Sequence, residues 1–145
     1  MLLGKHASTL DKLNRFKLPE GFVEEMTGEI YLIQGFEQNL LCLTTDSFRE
    51  ICTKITAQNI TDPLARLLSR MILGSAQIVN IDIDGFILIP NVLAEFINAQ
   101  DLVYIVGQGE YFEIWSSQHW LQQEAQLLDC EQNSSRFSAL PITIH

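Results

Sequence analysis

The stretch Leu10-Asp11-Lys12-Leu13-Asn14-Arg15-Phe16-Lys17-Leu18-Pro19 recurs 71 positions later as Ile81-Asp82-Ile83-Asp84-Gly85-Phe86-Ile87-Leu88-Ile89-Pro90. Asp falls on Asp, Pro on Pro, and Asn14 on Gly85. In both copies a strand leads into Asp-x-x-Asn/Gly. There the Asp side chain can accept backbone N–H groups, and Asn or Gly can enter positive φ at low cost. A second strand then runs to a Pro, which cannot extend a ladder.

Working outward, the two copies stay in step. Ile30-Tyr31-Leu32-Ile33 answers Val103-Tyr104-Ile105-Val106, and Leu40-Leu41-Cys42-Leu43 answers Phe112-Glu113-Ile114-Trp115, with Phe48 matched by Trp120. Short amphipathic helices are expected from Pro19 to about Met26 and from Pro90 to about Ile97, with Pro in the first turn. Hairpins follow through residues 34–39 and 107–110. Further helices start near Asp46 and Ser116, which can cap them. Between the copies, Thr61 or Asp62 can cap a helix that opens on Pro63, presents Leu64, Leu67, Leu68, Met71 and Ile72 on one face, and ends at Gly74. The division is 1–60 for the first module, 61–74 for the connecting helix, 75–121 for the second module and 122–145 for a C-terminal tail. The tail is polar from about Gln132 and ends in Leu140-Pro141-Ile142-Thr143-Ile144; it is expected to be loosely held or used in an oligomer contact.

Composition narrows the function. With 145 residues, 47% of them hydrophobic, the chain can build one core or two very small ones. Its longest apolar runs are too short to cross a bilayer. Cys42, Cys52 and Cys130 show no metal-ligand spacing and are expected to be reduced thiols of a cytoplasmic protein. The net charge of −9 opposes phosphate binding, but four of the nine basic residues, Lys5, Lys12, Arg15 and Lys17, fall in the first seventeen positions. No nucleophile, His pattern or Gly-rich phosphate loop accompanies the carboxylates, so no catalytic residue, cofactor or small-molecule substrate is expected. The run from Asn80 to Ile87 imitates the front half of a calcium loop. Position twelve is Asn91 rather than a bidentate Glu, however, and Pro90 precedes it, so no metal is expected either.

Gly4, Leu10-Asp11, Arg15, Pro19, Asp82, Gly85, Ile87, Ile89-Pro90, Leu93, Val106-Gly107, Phe112-Glu113-Ile114-Trp115 and Trp120, with Arg66 and Arg70 ahead of Gly74-Ser75-Ala76, resemble the MraZ family over residues 1–121. The resemblance implies a mainly β, α+β chain: a tandem pseudo-symmetric swapped-hairpin barrel of AbrB/SpoVT type. It further implies a homo-oligomeric ring that binds short direct repeats in double-stranded promoter DNA of the division and cell-wall gene cluster, including its own gene, at the nucleoid. The family signature is Asp-x-x-Gly-Arg in each module. This chain departs from it twice, with Asn14 at the first Gly and Phe86 at the second Arg.

On this reading Arg15 is the principal DNA contact, because a guanidinium can grip phosphate oxygens or the O6/N7 edge of guanine bidentately. Lys12, Lys17, Lys5 and Asn14 are its expected neighbours in the interface; the alternative for the lysines is a solvated strand face. Asp11, Asp82 and Gly85 structure the turns. A plain alternative for Arg15 is a surface ion pair with Asp11 across its own turn. Phe86 is expected on the same outer face as Arg15, since strand side chains alternate, unless it has turned into an apolar contact between subunits. Its lack of charge supports a rival function, a module that has given up autonomous DNA binding and serves protein interaction or oligomerisation. Trp115, Trp120 and Phe112 are expected in the core rather than as base-stacking platforms.

Overall fold

Every strand pairing in the computed structural model, which describes residues 1–142, is antiparallel. The first copy supplies β1 (Lys5–Thr9), β2 (Arg15–Lys17), α1 (Glu20–Glu25), β3 (Ile30–Gln34), β4 (Leu40–Thr44) and α2 (Thr45–Thr56). After α3 (Pro63–Ser75), the second copy repeats the order with β5 (Gln77–Val79), β6 (Phe86–Leu88), α4 (Asn91–Phe96), β7 (Leu102–Gly107), β8 (Phe112–Ser116) and α5 (Ser117–Leu127), followed by α6 (Cys130–Phe137).

The strands exchange between copies. A six-stranded sheet runs β1-β7-β8-β4-β3-β5, so the first strand of each copy pairs with the third strand of the other. The remaining pair, β2 and β6, forms a separate two-stranded ribbon. This is an α+β architecture with swapped strands. Among the described residues its ladders do not close into a continuous hydrogen-bonded barrel; the ribbon is tied to the sheet by short links, such as Ser8 Oγ donating to the Lys17 carbonyl at 3.0 Å. The repeat is expressed as a pseudo-twofold axis. Equivalent residues face each other at two places, Leu41 opposite Glu113 in the sheet and Phe16 opposite Ile87 in the ribbon.

The main core lies between sheet and ribbon. Phe16, Leu18, Ile87 and Ile89 point inward to meet Leu32, Leu40, Ile105 and Phe112, with Phe22 and Leu93 from the short helices. A second cluster packs α2 and α3 on the sheet through Ile33, Leu43, Ile55 and Ile72, with Tyr31 stacked on Phe48 at 4.3 Å. Trp115, Trp120 and Phe112 are buried, as expected of core residues.

Several boundaries differ from the expectation. Pro19 and Pro90 stand one residue ahead of α1 and α4 as N-caps, their carbonyls accepting the first helical bonds. The cap of α2 is Thr44, whose hydroxyl accepts from Ser47 N–H at 3.2 Å, and Asp46 lies in the first turn instead. Ser116 caps α5 in the same way. Asp62 caps α3, with Pro63 first in the helix. That helix runs through Gly74 to Ser75, whose hydroxyl donates to the Ile72 carbonyl and accepts from Gln34 N–H, giving the last turn partners that a glycine stop would not supply. The tail is largely helical: Asp129 caps α6 by accepting from Gln132 N–H. Of its apolar ending, Thr143 and Ile144 lie outside the described residues, as does His145.

Candidate nucleic-acid interface

Two matched turns flank the ribbon. In the first, Asp11 Oδ1 accepts from the N–H groups of Leu13 and Arg15 at 2.9 and 2.8 Å, and the Asp11 carbonyl accepts from Asn14 N–H at 3.0 Å. In the second, Asp82 Oδ1 accepts from Asp84 and Phe86, both at 2.9 Å, and its carbonyl accepts from Gly85 N–H at 3.0 Å. Asn14 and Gly85 hold φ of +62° and +85°, the left-handed conformation that this turn requires. Each turn is also stitched to the opposite strand: Leu18 N–H donates to the Gly85 carbonyl and Ile89 N–H to that of Asn14. Sequence reasoning missed Asn91, at the start of α4, whose Oδ1 accepts from Asn14 Nδ2 at 2.9 Å. An uncharged side chain at a helix start carries no local signal for a partner 77 residues away.

The ribbon has two faces. Phe16 and Ile87 are fully buried, while Arg15, Lys17 and Leu88 are exposed and Phe86 is half-buried. Arg15 lies opposite Leu88, and Lys17 opposite Phe86. These four side chains share the outer face, and the Arg15 guanidinium carbon stands 5.9 Å from the Phe86 ring centre. Phe86 therefore does lie beside Arg15.

Arg15 is also engaged within its own turn. Its Nε donates to Asp11 Oδ2 at 2.9 Å, the ion pair that forms the plain alternative for this residue. The backbone N–H of Arg15, then its guanidinium and the N–H of Leu13, hold the Asp11 carboxyl below its usual range. The bond uses one edge of the guanidinium; among the described residues the terminal Nη groups have no partner and remain available to a ligand. Lys12 and Lys17 are exposed and form no ion pair among those residues. Lys5 is placed differently. Its ammonium group meets Glu124 of α5 at 2.7 Å and lies 5.8 Å from the Trp120 ring centre, so it is engaged by the body of the protein. The structure thus brings together Arg15, Lys17, Asn14, Asp11, Asp82 and Gly85 around one ribbon, puts Lys12 at a turn tip, and leaves Lys5 committed elsewhere.

The sequence is similar to those of known proteins. The chain is 33% identical over 131 residues to the transcriptional regulator MraZ of Thermomicrobium roseum, spanning 90% of this chain and 92% of that one. The chain belongs to the MraZ family. It is likewise 32% identical over 120 residues to the transcriptional regulator MraZ of Herpetosiphon aurantiacus, covering 83% and 84% of the two chains. The same identity, over 117 residues, relates it to the transcriptional regulator MraZ of Mycoplasma mobile, at 81% and 80% coverage. The family model described as "MraZ protein, putative antitoxin-like" matches residues 72–139. That match carries the MraZ likeness past residue 121, where the motif resemblance stops, and into α6.

Proposed function

We propose that this chain is a DNA-binding transcriptional regulator that meets double-stranded DNA with the outer face of the β2–β6 ribbon and its two turns. The observation that carries this reading is the outward grouping of Arg15 and Lys17 on a two-stranded ribbon, with Lys12 at its tip, in a chain whose relatives are named transcriptional regulators. A two-stranded ribbon is of a size the major groove admits. Arg15 is the central contact, Lys12 and Lys17 phosphate anchors, and Asn14 holds the turn that presents them. Asp11, Asp82 and Gly85 keep the two turns in shape.

The target is short direct repeats upstream of the division and cell-wall gene cluster, including the protein's own gene. The active form is a homo-oligomeric ring of two-module subunits acting at the nucleoid in the cytoplasm. Multivalency reconciles DNA binding with the acidic body, because linked weak sites raise apparent affinity by roughly 10²–10⁴ when their spacing matches. The test is titration of DNA from upstream of the protein's own gene at several salt concentrations. Affinity that falls steeply with salt is the expected result. Salt-independent or absent binding would leave the rival, a protein-interaction or oligomerisation module. That rival is favoured by one observation, the uncharged Phe86 and Leu88 on the same face.

A further inference from the structure

The repeat puts the two halves of the ribbon in register, and the register exposes a systematic replacement. Each cation of the first turn and strand has an apolar counterpart in the second copy: Ile83 for Lys12, Phe86 for Arg15, Leu88 for Lys17. These are not core residues. Ile83 is fully exposed and Leu88 is 47% exposed, and Phe86 lies half-open under the Arg15 guanidinium. Three exposed or half-exposed apolar side chains at the positions matched to cations, with Leu13 also exposed in the first turn, mark a contact surface rather than scattered surface hydrophobics.

The neighbours of this patch point to its occupant. Because Lys17 faces Phe86 and Arg15 faces Leu88 across one ladder, a ligand that lies on the cations necessarily lies on the apolar pair. Adjacent strands are only about 4.8 Å apart. Among the groups that tell base pairs apart in the major groove, the thymine C5 methyl is the apolar one that side chains such as Phe contact.

We infer that Phe86, Leu88 and Ile83 read thymine methyl groups in the major groove, while Arg15 and Lys17 supply the charge on the other half of the same ribbon. This rests on the DNA-binding reading above and deepens it. Each module contributes a different chemistry to one site, and the preferred half-site for the second copy is thymine-rich.

The test uses one duplex, carrying the region upstream of the protein's own gene, prepared with thymine and again with uracil, which pairs identically but lacks the methyl. The full-length protein is expected to bind the thymine duplex more tightly, by about fourfold for each methyl buried. In Phe86→Ala/Leu88→Ala that preference should vanish. Ile83→Ser/Leu88→Ser, which alters only exposed side chains, should reduce it, and it serves if loss of Phe86 disturbs the ribbon. Arg15→Ala should weaken binding to both duplexes alike and keep their ratio. Equal binding of both duplexes, still dependent on salt and Arg15, would overturn methyl reading while leaving DNA binding intact, and would assign the patch to a protein partner. Tighter binding to the uracil duplex would overturn it in favour of side-chain wedging between bases. Failure to bind either duplex would remove both readings.

Discussion

Arg15 and Phe86, 71 positions apart in the chain, occupy equivalent places in the repeat and lie within 5.9 Å of each other on the ribbon. The signature position that carries charge in one module and an aromatic ring in the other is thus a single site seen from both sides of a pseudo-twofold axis. The charge on that site comes from the first module alone.

Arg15→Ala is therefore expected to weaken specific DNA binding by on the order of 1–3 kcal/mol for each base edge that the guanidinium grips, with a larger effect through a multivalent assembly. Titrating wild type and variant on one duplex at one salt concentration checks this. Equal affinities in two folded proteins would remove Arg15 from the interface.

Phe86→Arg restores a cation to the second module. Each added phosphate contact should steepen the dependence of log affinity on log salt by roughly 0.9. Thymine discrimination should decline in the same variant. An unchanged slope in a correctly assembled protein would show that the second half of the ribbon does not approach phosphate.

The Asp11 carboxyl is held below its usual range, chiefly by the Arg15 backbone N–H, so its ionised form is favoured in the folded state. The contribution to stability is present above the unfolded carboxylate pKa and disappears as pH falls through the lower folded value. Thermal melts of wild type and Asp11→Asn should differ at neutral pH and converge in acid. A gap that stays constant through the acid range would mean that the charge of Asp11 is not what holds the turn.

Phe16 is fully buried where the axis crosses the ribbon. Phe16→Ala should cost about 3–5 kcal/mol in urea unfolding, the usual penalty for deleting a core ring. Leu88→Ala, on the opposite face of the ribbon, should cost far less. Similar destabilisation by both would contradict the assignment of inner and outer faces.

In solution the protein is expected to be an oligomer. Leu64 and Leu67 of α3 and Leu121 and Leu128 around α5 all stand exposed, and single-arginine sites gain from repetition. Light scattering at micromolar concentration, with and without DNA, provides the check. A 16.5 kDa species throughout would contradict it.

Much of the fold is legible in the sequence because the repeat is a local signal. Asp11 and Asp82 announce the turns, Asn14 and Gly85 the positive φ, and the spacing of Leu64, Leu68, Met71 and Ile72 the connecting helix. What escapes is long-range or degenerate. The ion pair of Lys5 with Glu124 joins residues 119 positions apart. Thr44 caps α2 because β4 runs into that helix without a loop, so the cap belongs to the strand rather than to Asp46. Residues 130–137 are too polar for hydrophobic periodicity to reveal a helix, and the cues are confined to its ends: Asp129 as cap, Glu131 in the first turn and Arg136 in the last.

The exchange of β1 and β5 between the copies has a consequence for heredity. Two separate, identical half-chains could form the same interlocked ribbon, but every substitution would then appear on both sides of the axis at once. Arginine at one signature position would force arginine at the other. Joining the halves through α3 lifts that obligation, and each side can mutate alone. The pairing of a charged residue with an aromatic one at Arg15 and Phe86 is an asymmetry that a homodimer of half-chains could not carry.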